Sequence, residues 1–419
     1  MKSITFKQNG RFYHGWWIVL AGFLLMTFAY VGLLSVTSIF VIPVTTDLQV
    51  QRADFVLYST LMCLVSVVLS AYAGKFMGKG NIKWIMAINS ILGALLYFGF
   101  SQSSHMWQFY LFGLLLGIPY TCLTNLPISI LINNWFGGKI KGTAMGLAFL
   151  GSGIGGMILT PALNAVITAY DWRVGYMALA GIFLVILTPA ILLTVVKTPE
   201  EKGFTRMGET AEEQQSGTLS GMTLAEAKKT PMLWMVCAAV VLAVFASSGI
   251  LANSVSFFIE CGFSSAKAAS LAGIMLGSLI IGKPIVGAVC DRFGISKGAF
   301  LSFATFALGF LLLYFMAGAS MLVVPFIACY AFGCASITIC PPLLINGLFG
   351  EKDYGTIVGV LNMATNIGGA FGGMIAAKVY DITNSYAIFW MICAIGVAAA
   401  CVLCVASFAI KNKKDLVKA

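Results

Sequence analysis

The sequence predicts an all-α membrane protein with twelve transmembrane helices in two six-helix, pseudo-symmetric bundles, and three observations carry this prediction. Of the 419 residues, 59% are hydrophobic and only 10% are charged, whereas soluble domains carry about 25% charged residues. Apolar runs of about 20 residues, the length that spans a bilayer as a helix, recur twelve times. These runs are apolar on all sides, unlike the alternating strands of a membrane β-barrel. Lipid is therefore the main solvent of this chain.

The placement of charge predicts the orientation of the chain in the membrane. The first apolar run is far longer than the core of a signal peptide and has no cleavage site, so we expect a retained helix. The formal net charge is +10. If the N-terminus is cytoplasmic, most Lys and Arg residues fall in cytoplasmic segments, as the positive-inside rule requires. We therefore predict a multi-pass protein of the cell inner membrane with both termini in the cytoplasm, and no nucleic-acid partner.

Cysteine, histidine and acidic residues exclude several classes of function. The eleven cysteines lie in or beside apolar runs, where we interpret them as small packing residues. The fifteen Asp and Glu residues fall in loops or at helix ends, and both histidines lie outside the spans. No cluster within the membrane is suited to metal binding or acid–base chemistry. The sequence thus predicts neither an enzyme nor a cofactor.

A polar segment, 197–231, divides the chain into halves that repeat each other at a displacement of 213 residues. We expect an N-terminal bundle over 1–196, a cytoplasmic linker over 197–231 and a C-terminal bundle over 232–419. Matching pairs include Phe136 with Phe349 and Asn133 with Asn346. Parallel repeats of this kind create a cavity at their interface, which rocking exposes to either side in turn. We expect the chain to act as a monomer.

Two matching loops carry a family resemblance. The sequence GAVCDRFGISK follows the eighth apolar run, and GKFMGKGNIK stands at the repeated position after the second. Together they resemble the loop signature of the major facilitator superfamily. The residues that match it, and that the resemblance implies for gating, are Gly74, Lys79, Gly287, Asp291 and Arg292. The first copy has Gly78 where the family usually has Asp.

Further segments resemble one branch of that superfamily, the monocarboxylate and oxalate/formate transporters. These segments are GWWIVLAG, IFVIPVTTDL, LPISILINNWF, KTPEEKGF and MTLAEAKKTPMLWM. The resemblance covers nearly the whole chain. It implies a small carboxylate as the substrate, with a proton or a counter-anion as the coupled species.

Lys283 is the most informative single residue. A cation near the bilayer interior costs at least about 2.5–3.5 kcal/mol on insertion scales, so its presence requires a reason. Its stem could snorkel to the interface, or its ammonium could pair with carbonyls freed by Pro284. Alternatively it faces the cavity and binds a carboxylate, as the resemblance implies, since the family has a basic residue before this proline. A lysine would bind as a point charge, without the bidentate fork of arginine.

Polar residues on four other helices are candidates for the cavity lining. Thr121, Asn125, Ser129 and Asn133 follow at intervals of four and form a stripe on one helix face. Hydrogen bonding between helices explains such a stripe as well as cavity lining does. The resemblance favours Asn125 and its repeat mate Thr338, both at positions that are often aromatic in relatives. The candidate substrate-binding residues are Lys283, Asn125, Thr338, Asn362, Thr121 and Ser35.

The glycine-rich sequence GSGIGG, residues 151–156, contains the G-x-G-x-x-G pattern of dinucleotide-binding folds. No strand precedes it, and we interpret its glycines as sites where membrane helices approach closely. Residue 279, where monocarboxylate relatives often have Asp, is leucine. No buried carboxylate relay for protons is visible.

We therefore predict a secondary active transporter of a small organic anion, a monocarboxylate, that works by alternating access as a proton symporter or an anion exchanger. The sequence leaves two alternatives open. One is an efflux transporter for a neutral or amphiphilic small molecule. The other is a membrane sensor built on a transporter fold.

Overall fold

The computed structural model describes residues 7–8, 10–208, 221–316 and 320–418. The chain forms two compact units, Met1–Gln215 and Ser216–Ala419. Their boundary falls inside the predicted linker, of which residues 209–220 lie outside the described part of the chain.

Twelve long helices occupy the described ranges, six in each unit. In the first unit they are α1 (Gly15–Leu48), α2 (Arg52–Lys79), α3 (Ile82–Ser101), α4 (Met106–Trp135), α5 (Lys141–Ala169) and α6 (Trp172–Thr194). In the second they are α7 (Pro231–Glu260), α8 (Ser265–Phe293), α9 (Ile295–Met316), α10 (Val323–Phe349), α11 (Tyr354–Thr383) and α12 (Ala387–Lys418). Eleven are long and apolar enough to cross a membrane, and α2, bent by 55° after Ser70, is the twelfth. The predicted membrane fold is confirmed.

The internal repeat is visible in the helix boundaries. Helices α2, α3 and α5 begin at Arg52, Ile82 and Lys141, and α8, α9 and α11 begin 213 residues later at Ser265, Ile295 and Tyr354. The displacement found in the sequence therefore describes two copies of one arrangement of helices.

The first unit has an irregular backbone. Helix α1 contains a π-helical segment, Leu25–Ser35, and α6 contains another, Ile182–Leu187. Helix α4 is broken at Thr124 into Met106–Leu123 and Asn125–Trp135. Pro127 explains the break, because a proline ring clashes with the carbonyl four residues earlier, which here belongs to Leu123. In the second unit, by contrast, each of the six helices is continuous.

Glycines set the closest helix contacts at repeated positions. A Cβ atom on Gly155 of α5 would collide with the backbone of Thr27 on α1. In the second unit, a Cβ on Gly368 of α11 would lie 2.6 Å from the carbonyl oxygen of Val241 on α7. The prediction that these glycines allow close helix approach agrees with both contacts.

The ends of the linker fold onto the unit to which each belongs. In the first unit, the amide of Gly137 donates to the carbonyl of Met207, a linker residue, at 2.7 Å. Close to this contact, the hydroxyl of Tyr13 donates to the carbonyl of Trp135 at 2.5 Å. In the second, Met222 donates to Phe349 at 2.8 Å. A short helix, Leu224–Lys228, follows with a capping box, and two-residue strands β1 (Lys7–Gln8) and β2 (Arg11–Phe12) pair near the N-terminus.

Candidate functional site

Lys283 lies in the interior of the second unit, with 4% of its surface exposed. It stands on α8 directly after Gly282, where an added Cβ would collide with the carbonyl of Ala331 on α10. Helix α8 therefore touches the backbone of α10 one residue before the lysine.

A thiol on α10 lies within electrostatic range of the buried ammonium group. Cys334 is close enough to Lys283 for the two groups to interact electrostatically. Its Sγ lies 3.3 Å from the hydroxyl oxygen of Ser247 on α7, and Tyr330, one turn earlier on α10, is a further hydrogen-bond partner. Cys334 thus connects α10 to α7 through uncharged polar groups. Sequence reasoning missed Cys334 and Ser247, because cysteine and serine are also ordinary packing residues of membrane helices.

The same helix pair in the first unit carries a neutral bridge. The repeat mates of Lys283 and Cys334 are Ser70 on α2 and Thr121 on α4. The hydroxyl of Thr121 donates to the hydroxyl of Ser66 at 3.0 Å, and Ser70 donates to the carbonyl of Ser66 at 2.7 Å. Of the two readings of the polar stripe, hydrogen bonding between helices thus describes Thr121.

Asn125 stands at the break in α4, as the first residue of the second segment. Its side-chain oxygen Oδ1 is buried and has no hydrogen-bond partner. A buried acceptor left unpaired costs about 1–3 kcal/mol, so a ligand that donates a hydrogen bond here would recover part of this cost. The sequence signal for the break was Pro127, but a proline is also found inside unbroken helices of this chain, such as Pro284 in α8.

The other predicted lining residues occupy different environments. Thr338 is half-buried one turn after Cys334, and its hydroxyl donates to the carbonyl of Ala335 at 3.2 Å. Asn362 is half-buried on α11, and Ser35 is exposed at the end of the π-helical segment of α1. Thr338 thus lies on the same face of α10 as Cys334.

The residues of the loop signature lie at the ends of α2 and α8. Gly74 and Gly287 are buried, and Asp291 is half-buried. Arg292 is exposed, with its guanidinium 5.5 Å from the ring centre of Phe293. The side chain of Lys79 lies outside the described residues.

A second buried lysine, missed by the sequence analysis, lies at the start of α5. Lys141 is 3% exposed, and its Nζ donates to Oδ1 of Asn133 at 2.8 Å. Arg206, from the linker, donates to the carbonyl of the same asparagine. The sequence places Lys141 beside a polar loop, where a lysine is expected to be solvated. At one end of the first unit, Lys141 thus connects α5 to α4, and Arg206 connects the linker to α4.

Acidic groups are distant from the middle of the spans. Every described Asp and Glu residue lies in a loop or within about one turn of a helix end. In the described part of the chain, no group of three or more His, Cys, Asp or Glu residues is arranged to hold a metal ion.

Comparison with known proteins identifies the family. The model of the Major Facilitator Superfamily matches residues 18–282 and 262–418. Mouse monocarboxylate transporter 12 is 23% identical over 415 residues, which cover 90% of this chain and 82% of that protein. The uncharacterized transporter ESBP6 of Saccharomyces cerevisiae is 23% identical over 302 residues, and the matched part spans only 44% of its length.

Among solved structures, the Escherichia coli fucose:proton symporter FucP aligns with a TM-score of 0.69 at 16% identity. The alignment covers 93% of this chain and 97% of that one, which shows a shared fold. The chain belongs to the Major Facilitator Superfamily and is a membrane transporter of a small molecule, not an enzyme.

Proposed function

We propose that the protein is a secondary transporter of a small organic anion, a monocarboxylate, and that Lys283 neutralises the carboxylate during alternating access. The observation that carries this proposal is the burial of Lys283, which is 4% exposed, within the apolar part of α8. A buried cation is costly, and in membrane proteins such residues mark substrate paths more often than structural positions.

The proposed site has one cation, Lys283, which favours an anion with a single charge. One cation balances one carboxylate. The similarity to a protein named as a monocarboxylate transporter supports the same substrate class.

Polar side chains would contact the remainder of the substrate. The residues proposed for this role are Asn125, Thr338, Asn362 and Ser35, while Thr121 acts through its bridge to Ser66. Asn125 contributes most, because its buried oxygen has no partner in the described structure. Substrates that can donate a hydrogen bond should therefore be preferred.

The experiment is uptake into proteoliposomes, preceded by a thermal-shift screen of acetate, pyruvate, lactate, benzoate and a steroid carboxylate. A ligand that binds the folded state raises the melting temperature. For the best carboxylate, Lys283→Met should lower the initial uptake rate at least about tenfold, because hydrogen bonds to charged groups contribute about 1.5–3 kcal/mol. Lys229→Met, the same change at an exposed position outside the spans, should leave uptake unchanged.

Two further arms separate coupling from substrate choice. Uptake driven by an inward proton gradient indicates symport, and uptake driven by carboxylate trapped inside the vesicles indicates exchange. If Lys283→Met, folded and inserted like the parent protein, transports the carboxylate at the parent rate, the proposal is wrong.

A further inference from the structure

Helices α1 and α7 are the first helices of their units, and their contacts show which of their residues correspond. The first contact is with the fifth helix of each unit. A Cβ on Gly155 would collide with the carbonyl oxygen of Thr27, and the next nearest atoms are the Cα and carbonyl carbon of the same residue. A Cβ on Gly368, the repeat mate of Gly155, would meet the same three atoms of Val241. Thr27 and Val241 are therefore equivalent positions.

The second contact lies at the other end of these helices, with the sixth helix of each unit. The carboxylate of Asp47 accepts hydrogen bonds from Trp172 at 3.1 Å and from Arg173 at 2.8 Å, at the start of α6. The carboxylate of Glu260 accepts from the hydroxyl of Ser385 at 2.7 Å, and Ser385 is the repeat mate of Trp172. Asp47 and Glu260 are therefore equivalent as well.

The two helices differ in length between these two contacts. Thr27 and Asp47 are 20 positions apart, whereas Val241 and Glu260 are 19 positions apart. One extra residue in a regular α-helix would turn everything beyond it by about 100°, so that Asp47 would face away from α6. The π-helical segment, Leu25–Ser35, takes up this residue, because its hydrogen bonds span five residues instead of four. Helix α7 is α-helical over its whole length.

The extra residue gives α1 a freedom that α7 lacks. Because a contact holds each end, the wide π-helical turn can move along the segment while both contacts persist. Each residue that the turn passes rotates by about 100° and shifts by about 1.5 Å. Ser35, one of the proposed lining residues, lies in this segment. In the described state, the hydroxyl of Tyr97 on α3 donates to the carbonyl of Gly32 at 2.7 Å and holds the turn in place.

We infer that the π-helical segment of α1 is a sliding joint, in which one extra residue lets the wide turn move during alternating access while both ends of the helix stay attached. Of the two equivalent helices, α1 contains the joint and α7 is regular. The inference goes beyond the proposed function, because it requires a transporter but no particular substrate.

Two single-residue deletions in the full-length protein test whether α1 contains an extra residue. Removal of Phe28 or of Leu34, both half-buried in the segment, should make α1 regular without moving either end. Each deletion should therefore leave the melting temperature within about 5 °C of the parent value. The control is removal of Leu251, a residue of α7 that is 50% exposed. It turns Glu260 away from α12, so it should lower the melting temperature by more than about 10 °C or prevent folding.

Hydrogen exchange measures the joint without a substrate. In the parent protein, the amides of residues 28–35 should exchange at least about tenfold faster than those of the equivalent stretch of α7, residues 242–248. In both α1 deletion variants the two rates should become similar. Uptake of acetate, pyruvate, lactate and benzoate into proteoliposomes is the second readout. Each uptake that the parent shows should fall at least about tenfold in both α1 deletion variants, because a folded protein without the joint does not complete the conformational cycle.

The outcomes separate this inference from the proposed function. If the α1 deletion variants are as unstable as the variant without Leu251, no residue of α1 is extra and the joint is wrong. Folded α1 deletion variants that transport at the parent rate also overturn it, as do equal exchange rates of the two stretches in the parent. If the parent takes up none of the carboxylates, the proposed function is wrong, and the exchange rates still decide whether the joint exists.

Discussion

The contact of α2 with α4 and the contact of α8 with α10 are two copies of one arrangement, yet they contain different chemistry. In the first unit, a hydrogen bond between the hydroxyl groups of Thr121 and Ser66 joins the two helices. In the second it contains a buried cation, Lys283 beside Cys334. The same packing thus tolerates a neutral bridge or a charge. Under the proposed function, the contact in the second unit is the one that carries the binding charge.

The two units also differ in the regularity of their helices. The π-helical segments of α1 and α6 present carbonyls to side chains of α3, because Tyr97 donates to Gly32 at 2.7 Å and Ser90 donates to Phe183 at 3.0 Å. The repeat mates of Tyr97 and Ser90 are Phe310 and Phe303, which have no donor. Helices α7 and α12 are correspondingly regular. π-Helical turns within α-helices are frequently found at functional sites.

The largest expected effect tests whether both units depend on the same glycine contacts. Gly155→Leu and Gly368→Leu should each lower stability by about 3 kcal/mol, because a side chain would push helix backbones apart. The neighbours offer matched controls, since a Cβ on Gly156 meets nothing within 4 Å and one on Gly369 meets only a side-chain atom at 3.6 Å. Melting temperatures of the purified variants provide the measurement. Equal losses at adjacent positions would contradict the packing.

The donors on α3 should matter only in the first unit. Tyr97→Phe should lower stability by about 1 kcal/mol, through loss of one buried hydrogen bond to the π-helical segment. Tyr170→Phe changes a hydroxyl on a residue that is 77% exposed and should have no effect. Hydrogen exchange of residues 25–35 should increase in the first variant. Unchanged exchange there would show that the tyrosine does not hold the segment.

The neutral bridge should be less important for transport than the charged contact. Thr121→Val removes the hydrogen bond to Ser66 but keeps the shape, so stability should fall by about 1 kcal/mol or less. Uptake of the carboxylate should stay near the parent rate. A loss of uptake as large as that of Lys283→Met would mean that the first unit binds the substrate as strongly as the second.

The smallest expected effect on stability concerns His14, which precedes α1. Its repeat mate, Ala227, lies before α7. Burial lowers the pKa of His14 below 6.5. The hydrogen bond to the carbonyl of Thr194 acts in the opposite direction, and the nearby charge of Lys202 lowers the pKa further. The unfolded chain therefore binds the proton first, and the stabilising contribution of neutral His14 is lost as the pH falls below 6.5. Melting temperatures at pH 7.5 and 5.5 should differ less in His14→Gln than in the parent.

The sequence was sufficient to predict the fold and the repeat, because apolar length and a constant displacement are properties of sequence. It also singled out Lys283, since a charge within an apolar run is visible without coordinates. The break at Thr124, the π-helical segments and the thiol beside Lys283 were not predicted. They depend on contacts between side chains and backbone groups of different helices. Pro127 by itself is compatible with a broken helix and with a kinked one. Lys141 was missed because burial at a helix end depends on the loop that covers it.

The most direct test of the account is competition between a carboxylate and its uncharged amide in proteoliposomes, for example benzoate and benzamide if benzoate is transported. The account predicts that the parent protein takes up the carboxylate and that the amide competes at least about tenfold more weakly, because only the anion uses the charge of Lys283. Lys283→Met should lose this discrimination. Equal discrimination in the parent protein and in Lys283→Met would contradict the central claim.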